Sequence, residues 1–321
     1  YYINGFSSSL PDHVQFKALQ RIPGFENAKI FRPGYAIEYD YFPPVQLHYS
    51  LETKLIDNLY FAGQINGTTG YEEAAAQGIM AGINAHLKVN EKSPFILSRA
   101  ESYIGVLIDD LITKGVDEPY RMFTSRAEYR ILLRQNNADL RLTGKSYKLG
   151  LASEERMQIV EKKLSAIEKV NKYLAETSVT PGEMDALLEE KNTSPMSQKG
   201  RLSNILLRPQ IQIMDLYRAE PRFRNFVDTL DPVIRDEVLQ EVEIRVKYGG
   251  YIEKESDIAS KLSRLEDLKL SDDFDYFKLP SLSWEAREKL SKMKPMTLGQ
   301  ASRIAGVSPA DISVLTVYLG R

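Results

Sequence analysis

The chain has 321 residues, of which 43% are hydrophobic and 27% charged, and its formal net charge is −2. This composition is typical of a soluble globular protein of two or three domains, and no apolar stretch approaches the ~20 residues that cross a bilayer. The absence of cysteine excludes disulfides and thiolate metal sites, and the small net charge requires any nucleic-acid site to be local.

The N-terminal part is predicted to have mixed structure. The chain begins with Tyr1 and lacks a signal-peptide pattern, so we expect it to be a piece of a longer protein. A short helix is predicted at 14–19, and the alternating aromatic and branched residues of 29–39 predict a strand. Pro43-Pro44 prevents a helix. The short apolar run 59–62 predicts a buried strand.

A glycine-rich turn and a helix follow that run. Thr69 and Glu72 have capping-box spacing, which predicts a helix start near Gly70. Gly63 and Gly67 allow a sharp turn and the close approach of a flat ligand. The unpaired N–H groups at such a helix start carry partial positive charge and suit a phosphate or an electron-rich ring edge. An ordinary strand-to-helix turn explains the glycines equally well.

The remaining elements are predicted to be helices, because their apolar residues recur at three-and-four spacing. The predicted ranges are 98–114, 153–174, 233–247, 256–268 and 284–293. The pair Gly249-Gly250 is predicted to end a helix. On the first of these helices Asp109 and Asp110 point about 100° apart, so we interpret them as structural. Because His13, His48 and His86 are scattered, neither a metal site nor a catalytic triad is predicted.

The segment 120–148 is locally basic. Ser125 and Glu128 have capping-box spacing, which predicts a helix with Arg126, Arg130 and Arg134 on one face. Like charges stacked in this way disfavour an isolated helix, and the phosphates of a nucleic acid would offset their repulsion. A solvated surface is the alternative interpretation.

The C-terminal end has the pattern of a helix-turn-helix. The first helix is predicted at 300–307, with Gly306 in the turn, Ser308 as the cap and Pro309 at the first position of the second helix. That second helix has no basic residue before Arg321, so it suits a protein surface or a local core better than DNA.

Four stretches resemble, in the same order, segments of one protein family. They are GQINGTTGYEEAAAQG at 63–78, EPYRMFTSRAEYR at 118–130, KYGGYI at 247–252 and GQASRIAGVSP at 299–309. The family is MnmG/GidA, the bacterial tRNA uridine 5-carboxymethylaminomethyl modification enzymes, and the chain resembles its back half only.

The resemblance implies a multidomain, mainly α protein. Residues 1–38 would be the tail of an inserted domain linked to NAD(P)H. Residues 39–92 would be the C-terminal part of the FAD-binding domain, a partial α/β remnant with strands. Residues 93–321 would form an all-α domain that binds tRNA and a partner.

The resemblance also implies an activity. The intact protein would be an FAD-dependent, cytoplasmic homodimer that works with the GTPase MnmE. It would add an aminomethyl or carboxymethylaminomethyl group at C5 of the wobble uridine of tRNA, with NADH and methylenetetrahydrofolate as co-substrates. Its catalytic residues would lie in the front half, so we expect the fragment alone to be inactive.

The family's motifs assign site residues in this sequence. The flavin-contacting residues would be Gln64, Asn66, Gly67, Thr69, Gly70, Tyr71 and Glu72. The tRNA-contacting residues would be Arg121, Arg126, Arg130, Arg134, Arg141 and Lys145, with Arg121 and Arg130 foremost. The C-terminal helices would bind MnmE. Two alternatives are a stand-alone helical module that binds RNA or DNA, and a flavoprotein oxidoreductase that acts on a small molecule.

Overall fold

The fold is that of a computed structural model, which describes residues 1–6, 8–35, 37–271 and 273–319. It is mainly helical. The helices are α1 Asp12–Leu19, α2 Tyr71–Val89, α3 Tyr103–Lys114, α4 Ala138–Lys148, α5 Glu154–Glu176, α6 Pro181–Glu190, α7 Leu202–Leu206, α8 Ile213–Ala219, α9 Pro221–Val227, α10 Arg235–Asp267, α11 Trp284–Met293, α12 Leu298–Arg303 and α13 Pro309–Tyr318. Two short strands, β1 Ser178–Val179 and β2 Gly200–Arg201, pair antiparallel.

The strands predicted near the N-terminus are wrong. The stretch 29–39 contains no strand in its described residues, and Ala36 lies outside them. In 59–62 Tyr60 forms only an isolated bridge with Glu52. Phe31 is fully exposed, so the apolar alternation of the first stretch does not face a core here. A strand needs a neighbouring strand for its backbone hydrogen bonds, and the described residues offer none at this place.

Helix α10 is longer than predicted, because one helix replaces the two predicted at 233–247 and 256–268. It continues through Gly249 and Gly250, so the prediction that this pair ends a helix is wrong. Each helical glycine costs about 1 kcal/mol relative to alanine. Tertiary packing offsets this cost because both ends are anchored, the first by Val238 and Val242 and the last by Leu265.

Five apolar cores occur among the described residues, and the three largest organise the chain. The largest lies between α5 and α10 and includes Leu174 and Phe223. The second holds together α11, α12 and α13, which we call the C-terminal bundle. The third packs α2 against α3 through Met80 and Ile108. None of the described helices combines the length and the apolar character that a bilayer crossing requires.

Several helix ends follow the sequence closely. Helix α11 has the predicted bounds. Ser153 caps α5 by accepting a hydrogen bond from Arg156 N at 3.3 Å. In the C-terminal bundle Ser308 caps α13, and Gly306 has a φ of 94°, as a turn between two helices requires. Helix α12 is shorter than predicted, because it ends at Arg303.

Candidate functional site

The glycine-rich turn of residues 63–70 requires glycine at two positions. Gly63 and Gly67 have φ values of 85° and 79°, in the left-handed region that residues with a side chain avoid. A Cβ atom on Gly67 would lie 2.9 Å from Val116 Cγ1 and 3.0 Å from the Tyr41 ring. The turn is therefore packed closely against its neighbours on one side.

Helix α2 begins directly after this turn, as predicted, but the predicted capping box is wrong. Gly70 is the cap, with no side-chain hydrogen bond, so the helix register excludes a Thr69–Glu72 pairing. The backbone N–H groups of Tyr71 and Glu72 have no partner among the described residues. They are available to an acceptor on a ligand.

The start of α2 is joined to the basic segment. Glu73 is 3% exposed, and its Oε1 accepts a hydrogen bond from Met122 N at 2.7 Å. The same oxygen lies 3.5 Å from Arg121 Nε. Tyr120 N donates to Gly67 O at 2.8 Å, so the backbone of the turn also contacts this segment. The structure thus brings together two of the predicted functional elements.

A cavity of about 240 Å³ lies beside the turn. Its lining includes Tyr39, Tyr41, Gln64, Gly67, Thr69, Val116, Asp117, Glu118 and Pro119. Gln64 is partly exposed there, and its Nε2 donates to Asp40 O at 3.0 Å. Burial and the nearby charge of Asp117 raise the pKa of Tyr41. Asn66, by contrast, is fully buried and faces α2.

The prediction of a helix that starts at Ser125 is wrong. A 3-10 turn covers Thr124–Arg126, and no α-helix lies between this turn and the start of α4 at Ala138. Glu128 does not cap Ser125, because Arg99 Nη2 binds its carboxylate at 2.7 Å. Arg126 instead places its guanidinium 4.3 Å from the centre of the Tyr120 ring.

Apart from Arg126, the predicted basic residues divide into two groups. Arg134 pairs with Glu241 at 2.7 Å, Lys145 pairs with Glu101 at 2.7 Å, and Arg141 binds Arg134 O at 3.1 Å. These three side chains hold the fold together. Arg121 and Arg130 are exposed, and Arg130 has no hydrogen bond or ion pair with any described residue.

Sequence reasoning missed a buried charge cluster, which we define as Arg99, Asp109, Asp110 and Arg303. Arg99 Nη1 lies 3.0 Å from Asp109 Oδ2 and 2.7 Å from Asp110 Oδ1. Arg303 of the C-terminal bundle binds Asp109 through Nε at 2.8 Å and Nη2 at 2.6 Å. Tyr49 OH donates to Asp109 at 2.8 Å. Both aspartates are thus paired with arginine, as a structural role requires.

Burial alone would disfavour the charged forms of these side chains, but their ion pairs outweigh the effect of burial. Burial raises the pKa of Asp110, whereas Lys114 and Arg99 lower it more, so the pKa lies below its ordinary value. Burial and the charge of Asp109 raise the pKa of Tyr49. No group of three or more histidines and carboxylates suited to a metal ion occurs in the described part of the chain.

Comparisons with known proteins match this arrangement to one family. Residues 1–93 match the family model of glucose inhibited division protein A. Residues 154–256 and 258–321 match the C-terminal helical domain and helical bundle of the tRNA modifying enzyme MnmG/GidA. The chain belongs to the MnmG/GidA family.

Named MnmG proteins share high identity with the chain. It is 61% identical over 320 residues to the tRNA uridine 5-carboxymethylaminomethyl modification enzyme MnmG of Christiangramia forsetii. It is 60% identical over 320 residues to that of Flavobacterium psychrophilum. Both alignments cover 100% of the chain and 51% of the relative. The chain therefore spans about half the length of these MnmG relatives.

A solved structure supports the same assignment. The form II crystal of Aquifex aeolicus GidA matches with a TM-score of 0.78 and 46% identity, covering 98% of this chain and 49% of that one. The predicted family and the predicted mainly α fold are confirmed.

Proposed function

We propose that this MnmG/GidA chain supplies the flavin-facing and tRNA-facing surfaces of an FAD-dependent enzyme that modifies C5 of the wobble uridine in tRNA. The observation that carries the proposal is the direct contact between the glycine-rich turn and the basic segment. The start of α2, where we place the ligand site, is held to the basic segment by the Glu73–Met122 hydrogen bond and lies beside the exposed Arg121. An enzyme that acts on RNA with a flavin needs both surfaces within reach of one nucleotide.

The residues present suit a flavin. The start of α2 offers free N–H groups, and the cavity beside it contains Tyr39 and Tyr41 for contact with a flat ring. Gln64, Gly67, Thr69 and Gly70, with the amides of Tyr71 and Glu72, would hold the ring. Asn66 would support the turn from behind. When bound, FAD would supply the redox chemistry, and the positive end of α2 would favour negative charge on the ring.

For tRNA, the exposed arginines are the better candidates. Arg121 and Arg130 would contact phosphates directly, and Arg126 would present its guanidinium from above Tyr120. Arg134, Arg141 and Lys145 would act by shaping this surface, since protein groups already occupy their side chains.

The C-terminal bundle is proposed to bind the GTPase MnmE. Val317 is 75% exposed, Tyr318 61% and Trp284 68%, and α13 carries no lysine or arginine. Such a surface suits a protein partner better than RNA. The family resemblance further supports a cytoplasmic homodimer that uses NADH and methylenetetrahydrofolate, with the division at 1–38, 39–92 and 93–321 given above.

The two alternative functions are not favoured. A stand-alone helical module does not account for the match of residues 1–93, and a small-molecule oxidoreductase does not account for the two helical MnmG/GidA matches.

The flavin assignment is tested by replacing Gln64 with alanine in the protein that includes the front half. We expect less flavin after purification and a shifted flavin absorbance, because the turn loses its partly exposed amide. Gln158, an exposed residue of helix α5, provides the matched control, and Gln158→Ala should keep wild-type flavin content. Identical spectra for Gln64→Ala and the control would refute the assignment.

The tRNA assignment is tested by Arg130→Ala. We expect weaker tRNA binding and a salt dependence whose logarithmic slope falls by about 1, the value for one lost phosphate contact. Arg156→Ala removes an exposed arginine from α5 and serves as the control. Equal affinities for Arg130→Ala and wild type throughout a salt titration would contradict a phosphate contact.

A further inference from the structure

Gln77 is a buried amide on the second turn of α2, with 0% exposure. It does not line the cavity beside the turn, and its hydrogen bonds go to the turn and not to the basic segment. Its side chain points back from the helix to the glycine-rich turn, where it uses both its oxygen and its nitrogen. Sequence reasoning did not single it out, because a glutamine within a run of alanines has no recognisable spacing.

The contacts of Gln77 span both ends of the turn. Its Oε1 accepts from Gly63 N at 3.1 Å and from Asn66 Nδ2 at 2.7 Å. Its Nε2 donates to Thr68 Oγ1 at 2.9 Å. Thr68 Oγ1 in turn donates to Gly63 O at 2.8 Å, which closes a hydrogen-bonded ring behind Gln64. All four of these residues are buried.

This ring matters because the turn has little conformational preference of its own. Gly63 and Gly67 are freer than other residues, and one 3-10 turn, Gly63–Asn66, is the regular structure between them. Without Gln77, the backbone would be free to reorient Gln64 and the approach to the first amides of α2. A buried polar network in which most members are paired can instead impose one arrangement.

We infer that Gln77 is a positioning residue that holds the glycine-rich turn in the conformation required for flavin binding. The inference rests on the proposed function, since it assigns the turn to a flavin. Gln77 acts through Gln64 and the turn backbone, and not by touching the ring.

The same helix provides a matched control. Asn84 is also a buried amide of α2, at 2% exposure. It donates to Ser50 O at 3.3 Å and Phe95 O at 3.1 Å and accepts from Phe95 N at 2.7 Å. It therefore has a similar set of hydrogen bonds, directed away from the turn. Loss of either amide removes comparable stabilisation, but only one loss frees residues 63–70.

The first measurement is amide hydrogen exchange in this chain. Gln77→Met removes the three hydrogen bonds of the Gln77 side chain. We therefore expect the rate of backbone amide exchange at 63–70 to rise by at least about tenfold. Asn84→Met should leave exchange at 63–70 unchanged and raise it near Phe95. Thr68→Val removes the two hydrogen bonds of Thr68 Oγ1 at nearly constant volume. It should give a smaller increase at 63–70 and is the milder variant if Gln77→Met folds poorly.

The second measurement is flavin binding by the protein that includes the front half. Gln77→Met should bind FAD about tenfold more weakly and alter its absorption spectrum, whereas Asn84→Met should match wild type. Unchanged exchange at 63–70 in Gln77→Met and Thr68→Val would overturn the inference, as would faster exchange with wild-type flavin affinity. If the wild-type protein binds no flavin, the proposed function itself is wrong. The exchange measurement does not depend on flavin, so the two failures can be told apart.

Discussion

Replacing Asp109 with alanine is expected to lower the free energy of unfolding by about 3–5 kcal/mol, the usual result of removing one partner from a buried ion pair. Asp109 is 2% exposed and binds both Arg99 and Arg303. The substitution removes a carboxylate from the buried side chain of Arg99 and from the largely buried side chain of Arg303. Urea or thermal unfolding followed by circular dichroism measures the loss.

An exposed ion pair provides the control for this substitution. Lys172 and Glu176 lie 4.0 Å apart on α5, and both side chains are largely exposed. Because exposed pairs contribute little, Glu176→Ala should change the unfolding free energy by less than about 1 kcal/mol. Similar losses for Asp109→Ala and Glu176→Ala would mean that the buried charge cluster does not stabilise the fold.

Gly105→Ala is expected to destabilise the chain by about 1–3 kcal/mol, the range for forcing an extra methyl group into a packed site. A Cβ atom on Gly105 would lie 2.2 Å from Ser98 O and 2.6 Å from Leu97 O. These are backbone atoms, so the chain before Arg99 must move away from α3. Arg99 would then lose its position over the two aspartates.

Gly78→Ala and Gly82→Ala are the controls, because no atom lies within 4 Å of a Cβ built at either position in α2. Alanine is the better helix former, so each should raise the unfolding free energy by up to about 1 kcal/mol. The same sign of change for Gly105→Ala and Gly78→Ala would show that close backbone packing at Gly105 is not important.

The elements that could be predicted from the sequence are those determined by residues within a few positions of the element itself. The start of α5 follows from Ser153, and the helix-turn-helix follows from Gly306, Ser308 and Pro309. The position of the glycine-rich turn and the helix after it was also predictable, because glycine and the apolar pattern act within a few residues. The family resemblance added the identity of the turn and the basic segment.

Distant contacts caused the errors. A capping box was predicted at Ser125, but Glu128 is bound by Arg99, which no local pattern reveals. The buried charge cluster joins Asp109 to Arg303, 194 residues later in the chain. Gly249 and Gly250 ordinarily end a helix, yet two separate cores hold the ends of α10 in line.

The length of α10 has a mechanical consequence. Its 33 residues, at 1.5 Å each, span about 50 Å, so a tilt of about 5° at one end displaces the other by about 4 Å. Glu266 lies at the far end, 2.6 Å from Arg303 Nη1, and Arg303 also holds Asp109. Arg303 thus links the end of α10 to α3 through the carboxylates of Glu266 and Asp109. A rotation of α10 or of the C-terminal bundle relative to α3 requires one of these two ion pairs to separate first.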